Sequence, residues 1–367
     1  MAVAVESHWH VLLEELVVTS YRLGVPCKHI EVVEASHPVP DEAESKVARK
    51  ILGKVSGLTA DDLVLVLISG SGSALLALRA DGITLADKKA ANRALLKCDA
   101  DLDEISTVRK QLSATKADLL TVPAAPARVV AFAISDEPGG DLSVGSGPTV
   151  PDVSTRADAL AALTKYRIEI PASAAMHLEN DASETPKLGD PRFANVTNSL
   201  VGTAQKSLEA AAKVVRGAGL PCMILGNAIE GEARGVGIVH ASVARQCGDW
   251  GQPLEIPCGL ISGGERTVTI RGSGRGGRNT EFLLSPGIAA DGRIGIWALA
   301  ADTDGIDGSE GNAGAILTPH TLQPARASGI DAKASLADND PHRVFAALDD
   351  LVVPVRRSPT STISESC

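Results

Sequence analysis

The sequence predicts an α/β fold with a largely parallel sheet and a second, smaller α/β unit towards the C-terminus. Three observations carry that expectation. Strand-like and helix-like runs alternate along the chain, which is the rhythm of βαβ units. Continuous apolar runs such as Leu63-Val64-Leu65-Val66-Leu67-Ile68 have the character of strands buried on both faces, as parallel strands are. The 367 residues exceed one typical domain and suit two.

Taken in order, residues 41–57 read as a helix, with Ala43, Val47, Ala48, Ile51, Leu52 and Val55 on one face. Residues 63–68 read as a strand, 84–97 as a helix and 128–134 as a strand. A helix over 203–216, a short strand over 223–225 and a helix over 232–247 follow. Residues 248–257 hold two Gly and two Pro and make the best linker, which divides the chain into 1–250 and 251–367. Beyond it come a strand-like run at 267–270, a Gly-Arg loop, a helix-like run at 279–284, a strand at 293–300 and an acidic loop. Residues 184–191 read as a surface excursion.

Composition narrows the function classes. Hydrophobic residues make up 44% and aromatics only 2%, so the core must be Ala, Val, Leu and Ile. A net charge of -10 argues against nucleic acid as the main partner. The six cysteines are scattered without a CxxC pair, as expected of reduced thiols in a cytoplasmic protein. No apolar stretch reaches the roughly 18 residues that span a bilayer. The expected partner is a small molecule, not nucleic acid or membrane, with a homo-oligomer left open.

Gly272-Ser273-Gly274-Arg275-Gly276-Gly277-Arg278-Asn279 is the most informative stretch. Four glycines permit close backbone approach, and two arginines supply forked positive charge suited to phosphate or carboxylate. Between a strand and a helix, such a loop is expected to aim free N–H groups and a helix N-terminus at an anion; a solvated basic turn is the alternative. Ser69-Gly70-Ser71-Gly72-Ser73 follows the strand at 63–68, at the sheet edge where ligands bind, with a tight serine-capped turn as the alternative. Asp136, at the end of the strand 128–134, suits general-base or metal duty, or an Asx-turn. Asp302, Asp304 and Asp307 place three carboxylates in six positions, which repel unless a cation or an arginine sits among them; the expectation is Mg²⁺. Arg109, Lys110 and Lys116 form a basic group that could equally be a solvated face. His8 and His10 lack further nearby ligands for a metal.

Together these motifs resemble the glycerate 2-kinase family, whose C-terminal half is the MOFRL domain and whose members are often named hydroxypyruvate reductase. The strings carrying the resemblance are His37-Pro38-Val39-Pro40-Asp41, residues 69–76, Thr107-Val108-Arg109-Lys110, Ser135-Asp136, Ser146-Gly147-Pro148-Thr149, Ser262-Gly263-Gly264-Glu265, residues 274–279 with Glu281, residues 302–308, and Asn312-Ala313-Gly314. They run in order over nearly the whole chain. The resemblance implies a Rossmann-like larger α/β domain, a smaller α/β MOFRL-like domain, and ATP-dependent phosphorylation of the 2-hydroxyl of D-glycerate with Mg²⁺. By resemblance Asp136 and Arg278 are catalytic. Substrate or phosphate would be bound by residues 69–73, Arg109, Lys116, Gly263, Gly264, Glu265, Gly274, Arg275, Gly276, Gly277 and Asn279.

Departures from the family pattern yield further expectations. The family's opening strand and GxGKA loop have no counterpart, so the chain is expected to be truncated at its N-terminus and a poor kinase. Ser71 stands at a usual Gly, Ala117-Asp118-Leu119 replaces Gly-Gly-Arg, and Gly140 replaces Asp. One coding of residues 354–365 reads GPTLTNVNDFR when its first two nucleotides are dropped, which makes the tail from 354 a frameshift product. Two rival readings follow. One is an NAD(P)-dependent reductase, because Gly272, Gly274 and Gly277 satisfy GxGxxG. The other is a non-catalytic remnant of the kinase.

Overall fold

The computed structural model describes residues 1–9, 14–21, 23–36, 42–69, 75–76, 78–95, 102–115, 120–135, 147–290 and 295–354. The chain divides into two compact units, Met1–Thr203 and Ala204–Cys367.

In the first unit α1 (Ala2–His8) leads into two strands, β1 (Leu16–Ser20) and β2 (Glu31–Ala35), which pair in parallel. The α2 helix (Glu42–Lys54) then turns its Val47 and Ala48 inward, as the spacing predicts. A three-stranded parallel sheet follows, built from β3 (Leu63–Ile68), β4 (Arg128–Ser135) and β5 (Val196–Thr203) in that order. Between β3 and β4 lie α3 (Leu85–Leu95) and α4 (Leu102–Gln111); between β4 and β5 lie α5 (Arg156–Lys165) and α6 (Ala172–Glu179). These four helices share an aliphatic core of Leu95, Ile105, Val108, Leu112, Leu163 and Leu178, free of aromatic rings. The α5 helix starts at a capping box, in which Thr155 and Asp158 satisfy each other's backbone N–H.

Residues 184–187, expected on a surface excursion, are in part anchored. Thr185 is buried, and its hydroxyl donates to the buried carboxylate of Asp152 at 3.0 Å. Gln111 reaches both groups from the end of α4, at 3.1 Å and 2.9 Å.

In the second unit α7 (Ala204–Gly217), β6 (Cys222–Gly226), β7 (Gly231–Glu232) and α8 (Ala233–Trp250) precede β8 (Gly259–Ser262) and β9 (Arg266–Thr267). The pairs β6–β8 and β7–β9 are both parallel. Residues 248–257 run from the end of α8 towards the start of β8, both within the second unit. The α9 helix (Arg278–Ala290) is buried along one continuous stretch from Asn279 to Gly287 and forms the centre of the unit. Its close neighbour is α8: a Cβ on Gly237 would lie 2.4 Å from the Phe282 carbonyl oxygen. An antiparallel sheet of β10 (Ala298–Ala301), β11 (Gly314–Leu317) and β12 (Leu351–Val352) packs on α9, joined by α10 (Leu322–Ala327), α11 (Ala332–Ala337) and α12 (Pro341–Ala346).

Two expected strands are shorter than their sequences suggest. The run at 267–270 pairs only at Arg266–Thr267, and the strand expected over 293–300 is formed at Ala298–Ala301.

Candidate active site

Most amides of the glycine-rich loop of the second unit are taken by acceptors within the protein. Arg271 N and Gly272 N donate to Asn339 Oδ1 at 2.7 Å and 3.0 Å, and Ser273 N donates to Asp338 Oδ1 at 3.0 Å. Gly274 N donates to the Asp338 carbonyl at 2.9 Å, and Arg275 N to Asp340 Oδ1 at 3.1 Å. Asn339 adopts a left-handed φ of 54° that turns this acidic segment around the loop. The glycines are required by that contact. A Cβ on Gly272 would stand 2.3 Å from the Asp338 carbonyl oxygen, and one on Gly274 would stand 2.3 Å from the Asp340 Cβ.

The helix end is filled in the same way. The α9 N-terminus is capped by Asp307, whose Oδ1 accepts from Asn279 N and whose Oδ2 accepts from Thr280 N, each at 2.9 Å. The Thr280 hydroxyl adds a third bond at 2.8 Å. A helix N-terminus attracts negative charge, and here the protein's own fully buried carboxylate supplies it. Asp307 is thus engaged at the helix cap, while Asp302 and Asp304 lie apart from that cap, and the amides of Gly274, Arg275, Gly277 and Asn279 are taken by protein acceptors. Among the described residues no group of three His, Cys, Asp or Glu is placed to hold a metal ion. Asn279 is buried too, with its side-chain oxygen accepting from Arg266 Nη2 at 2.9 Å, so it braces the helix instead of facing a ligand.

Arg278 is the cation that separates the remaining carboxylates. Its Nη1 pairs with Glu265 and its Nε lies 3.2 Å from Asp302 Oδ2. Burial raises the pKa of Asp302, the Arg278 charge opposes that rise, and Asp304 and Asp307 add to it. Asp304 is exposed and accepts from the Ile306 amide at 2.9 Å. Glu265 is carried on the Ser262–Glu265 turn, where Gly264 has a φ of 150° and a Cβ would fall 2.1 Å from the Ile229 carbonyl oxygen. Gly263 fixes the same turn, donating to the Gly226 carbonyl at 2.9 Å. Arg275 points elsewhere: two-thirds exposed, it sits 3.5 Å from Glu310 beside a cavity of about 590 Å³ that His342, Arg343, Asp338 and Asp340 also line.

In the first unit Ser69 is exposed, directly after β3. Gly70, Ser71, Gly72, Ser73, Lys116 and Asp136 lie outside the described residues. Arg109 is partly buried on α4, with its Nε lacking a partner among the described residues and its pKa drawn down by burial. Lys110 instead faces the buried Asp152 at 3.6 Å and belongs to the scaffold. Ser135 buries a hydroxyl that has no partner among the described residues.

Three features escaped the sequence reading. The acidic segment Asp338–Asp340 acts on a loop some 65 positions upstream, and spacing carries no signal of that pairing. Lys88 is buried in α3. His240 joins α8 to Ser262; a helical histidine among Val and Ala was the one available hint.

Two family models and several known proteins match this chain. A family described as "Domain of unknown function (DUF4147)" matches residues 1–179, and the MOFRL family matches residues 258–362. An Agrobacterium vitis protein named "Putative hydroxypyruvate reductase" is 49% identical over 357 residues, covering 96% of this chain and 81% of that protein. The D-glycerate 2-kinase of Thermotoga maritima is 38% identical over 349 residues, covering 95% of this chain and 81% of that protein. The crystal structure of glycerate kinase from the same organism matches with a TM-score of 0.83 at 37% identity, over 93% of this chain and 81% of that one. With such likeness along nearly its whole length, the chain belongs to the glycerate 2-kinase family.

Proposed function

We propose that this protein transfers the γ-phosphoryl group of ATP to the 2-hydroxyl of D-glycerate. The observation that carries the reading is the 38% identity to a D-glycerate 2-kinase over 349 residues. Arg278 supports it. It stands at the residue that the family resemblance marks as catalytic, at the first turn of α9, held in a fixed orientation by Glu265 and Asp302. A guanidinium held in this way costs little to reorganise as charge develops on a transferring phosphoryl group.

In this reading Asp136 accepts the proton of the 2-hydroxyl, and Arg278 binds the transferring phosphoryl oxygens. Arg109, whose buried Nε has no partner among the described residues, binds substrate carboxylate or phosphate through its guanidinium. Ser69 and the residues up to Ser73, with Lys116, contribute hydroxyls, amides and charge to the same anion. Gly263 and Gly264 shape the turn that holds Glu265 against Arg278. Gly274, Gly276 and Gly277 serve the packing of the loop.

Magnesium commonly takes one or two protein carboxylates alongside the phosphates of its nucleotide. Asp302 and Asp304 fit that number, and Asp307 is committed to the helix cap. When bound there, Mg²⁺ would neutralise charge on the β- and γ-phosphates.

The reductase reading requires free amides for a dinucleotide pyrophosphate at 272–277. Those of Gly272, Gly274 and Gly277 are engaged by Asn339, Asp338 and Thr280. The deciding experiment is ADP release with D-glycerate, with the product identified by ³¹P NMR as 2-phosphoglycerate. NADH oxidation by hydroxypyruvate, with no ATP-dependent product, would overturn the proposal.

A further inference from the structure

His240 occupies a junction that neither the family resemblance nor the proposed chemistry assigns. Its Nδ1 lies 2.8 Å from the Val236 carbonyl, one turn earlier in α8. A carbonyl only accepts, so Nδ1 carries the hydrogen. In the neutral ring Nε2 is then the acceptor, and it lies 2.9 Å from Ser262 Oγ. The ring also meets Phe282 of α9 edge to face, with centroids 5.1 Å apart. The other side of this contact is equally fixed: the Arg266 guanidinium sits 4.4 Å from the Phe282 ring centroid while bonding Asn279. Ser262 opens the turn that carries Glu265 to Arg278, and the 226–229 segment clamps that turn through Gly263 and Gly264.

We propose that His240 is a positioning residue. By holding Ser262 and meeting Phe282 edge to face, it fixes the Ser262–Glu265 turn against α9 and thereby sets the orientation of Arg278. The inference rests on the reading that Arg278 acts on the transferred phosphoryl group. The His240–Ser262 bond itself is independent of that reading.

The two ring nitrogens can be separated by substitution. In His240→Gln the side-chain oxygen reaches Ser262 as an acceptor in place of Nε2, whereas His240→Asn keeps only the bond to Val236. The expected result is a fall in kcat of about tenfold for His240→Asn and for Ser262→Ala, the scale of one lost hydrogen bond in an oriented site. KM for D-glycerate should change less than threefold, and His240→Gln should stay within about threefold of the native kcat. The double variant His240→Asn/Ser262→Ala should be no worse than either single change. Ring ¹⁵N shifts of the native protein should show Nδ1 protonated and Nε2 bare.

Equal kcat in the Asn and native proteins, per folded molecule, overturns the proposal. So does equal loss in the Asn and Gln variants, or a protonated Nε2 in the neutral ring. A native chain that phosphorylates no glycerate overturns the functional reading, and the ring shifts then decide the His240–Ser262 bond by themselves.

Discussion

Asp307 stands where a helix would otherwise draw in a ligand's anion, with one carboxylate oxygen on Asn279 N and the other on Thr280 N. Fully buried and charge-assisted at both oxygens, it contributes more than an exposed cap. Asp307→Ala should lower stability by about 2–4 kcal/mol, because buried donors are left unpaired. The Mg²⁺ concentration that half-saturates activity should change little for Asp307→Asn and rise several-fold for Asp302→Asn or Asp304→Asn. Thermal melts and Mg²⁺ titrations of activity distinguish the two roles. A large Mg²⁺ shift in Asp307→Asn with unchanged stability would return Asp307 to the metal site.

Close approach makes the loop glycines unequal. A Cβ on Gly277 would lie 2.3 Å from Asp307 Oδ1 and 2.4 Å from its backbone carbonyl carbon, neither of which can retreat from the helix cap. A Cβ on Gly311 would have nothing within 4 Å among the described residues. Gly277→Ala should therefore cost at least about 2 kcal/mol, and Gly311→Ala should be within about 0.5 kcal/mol of native. Urea denaturation of both variants checks the contrast, and equal midpoints would show that the cap yields.

Arg278 and Arg275 share one loop yet differ in their partners. Arg278 bridges Glu265 and Asp302, whereas Arg275 is two-thirds exposed beside Glu310. Lysine keeps the charge and loses the fork. Arg278→Lys should lower kcat by roughly a hundredfold or more, the scale of one preorganised donor. Arg275→Lys should stay within about threefold, since an exposed pair contributes little. Steady-state ADP release compares them directly, and equal losses would refute the ranking.

What could be read from the sequence divides along a physical line. Period and apolar runs are local, so Leu63–Ile68, the helix at 204–217 and the inward face of Val47 and Ala48 were legible. The partners of the glycine loop were not, because the side chains that take its amides come from Asp338 to Asp340, brought back by two short helices, α10 and α11. The repulsion among Asp302, Asp304 and Asp307 was correctly anticipated. Its relief comes from Arg278 and a helix N-terminus, since a helix dipole and a guanidinium neutralise carboxylates as a metal does. Composition could not reveal Lys88, because a lysine on a short amphipathic helix ordinarily lies in water.

Lys88 gives the protein a pH dependence opposite to the usual one for a paired lysine. Only 7% exposed, it donates to the Leu78 carbonyl at 3.2 Å, and burial draws its pKa down to about 8 against the opposing pull of the buried Glu44. Below pH 8 the folded and unfolded chains both hold this proton, and the desolvation cost is present in full. Between pH 8 and about 10.4, where an unfolded lysine titrates, the unfolded chain binds more protons and stability rises with pH. At about 1.4 kcal/mol per pH unit, the gain from this group is on the order of 2–3 kcal/mol. Denaturation midpoints of the native chain should thus climb between pH 8 and pH 10. In the paired substitution Lys88→Met with Glu44→Gln, which removes both buried charges together, that climb should be absent. The same climb in both proteins would assign it to other groups, and a native midpoint that falls over this interval would show that Lys88 keeps its proton when folded.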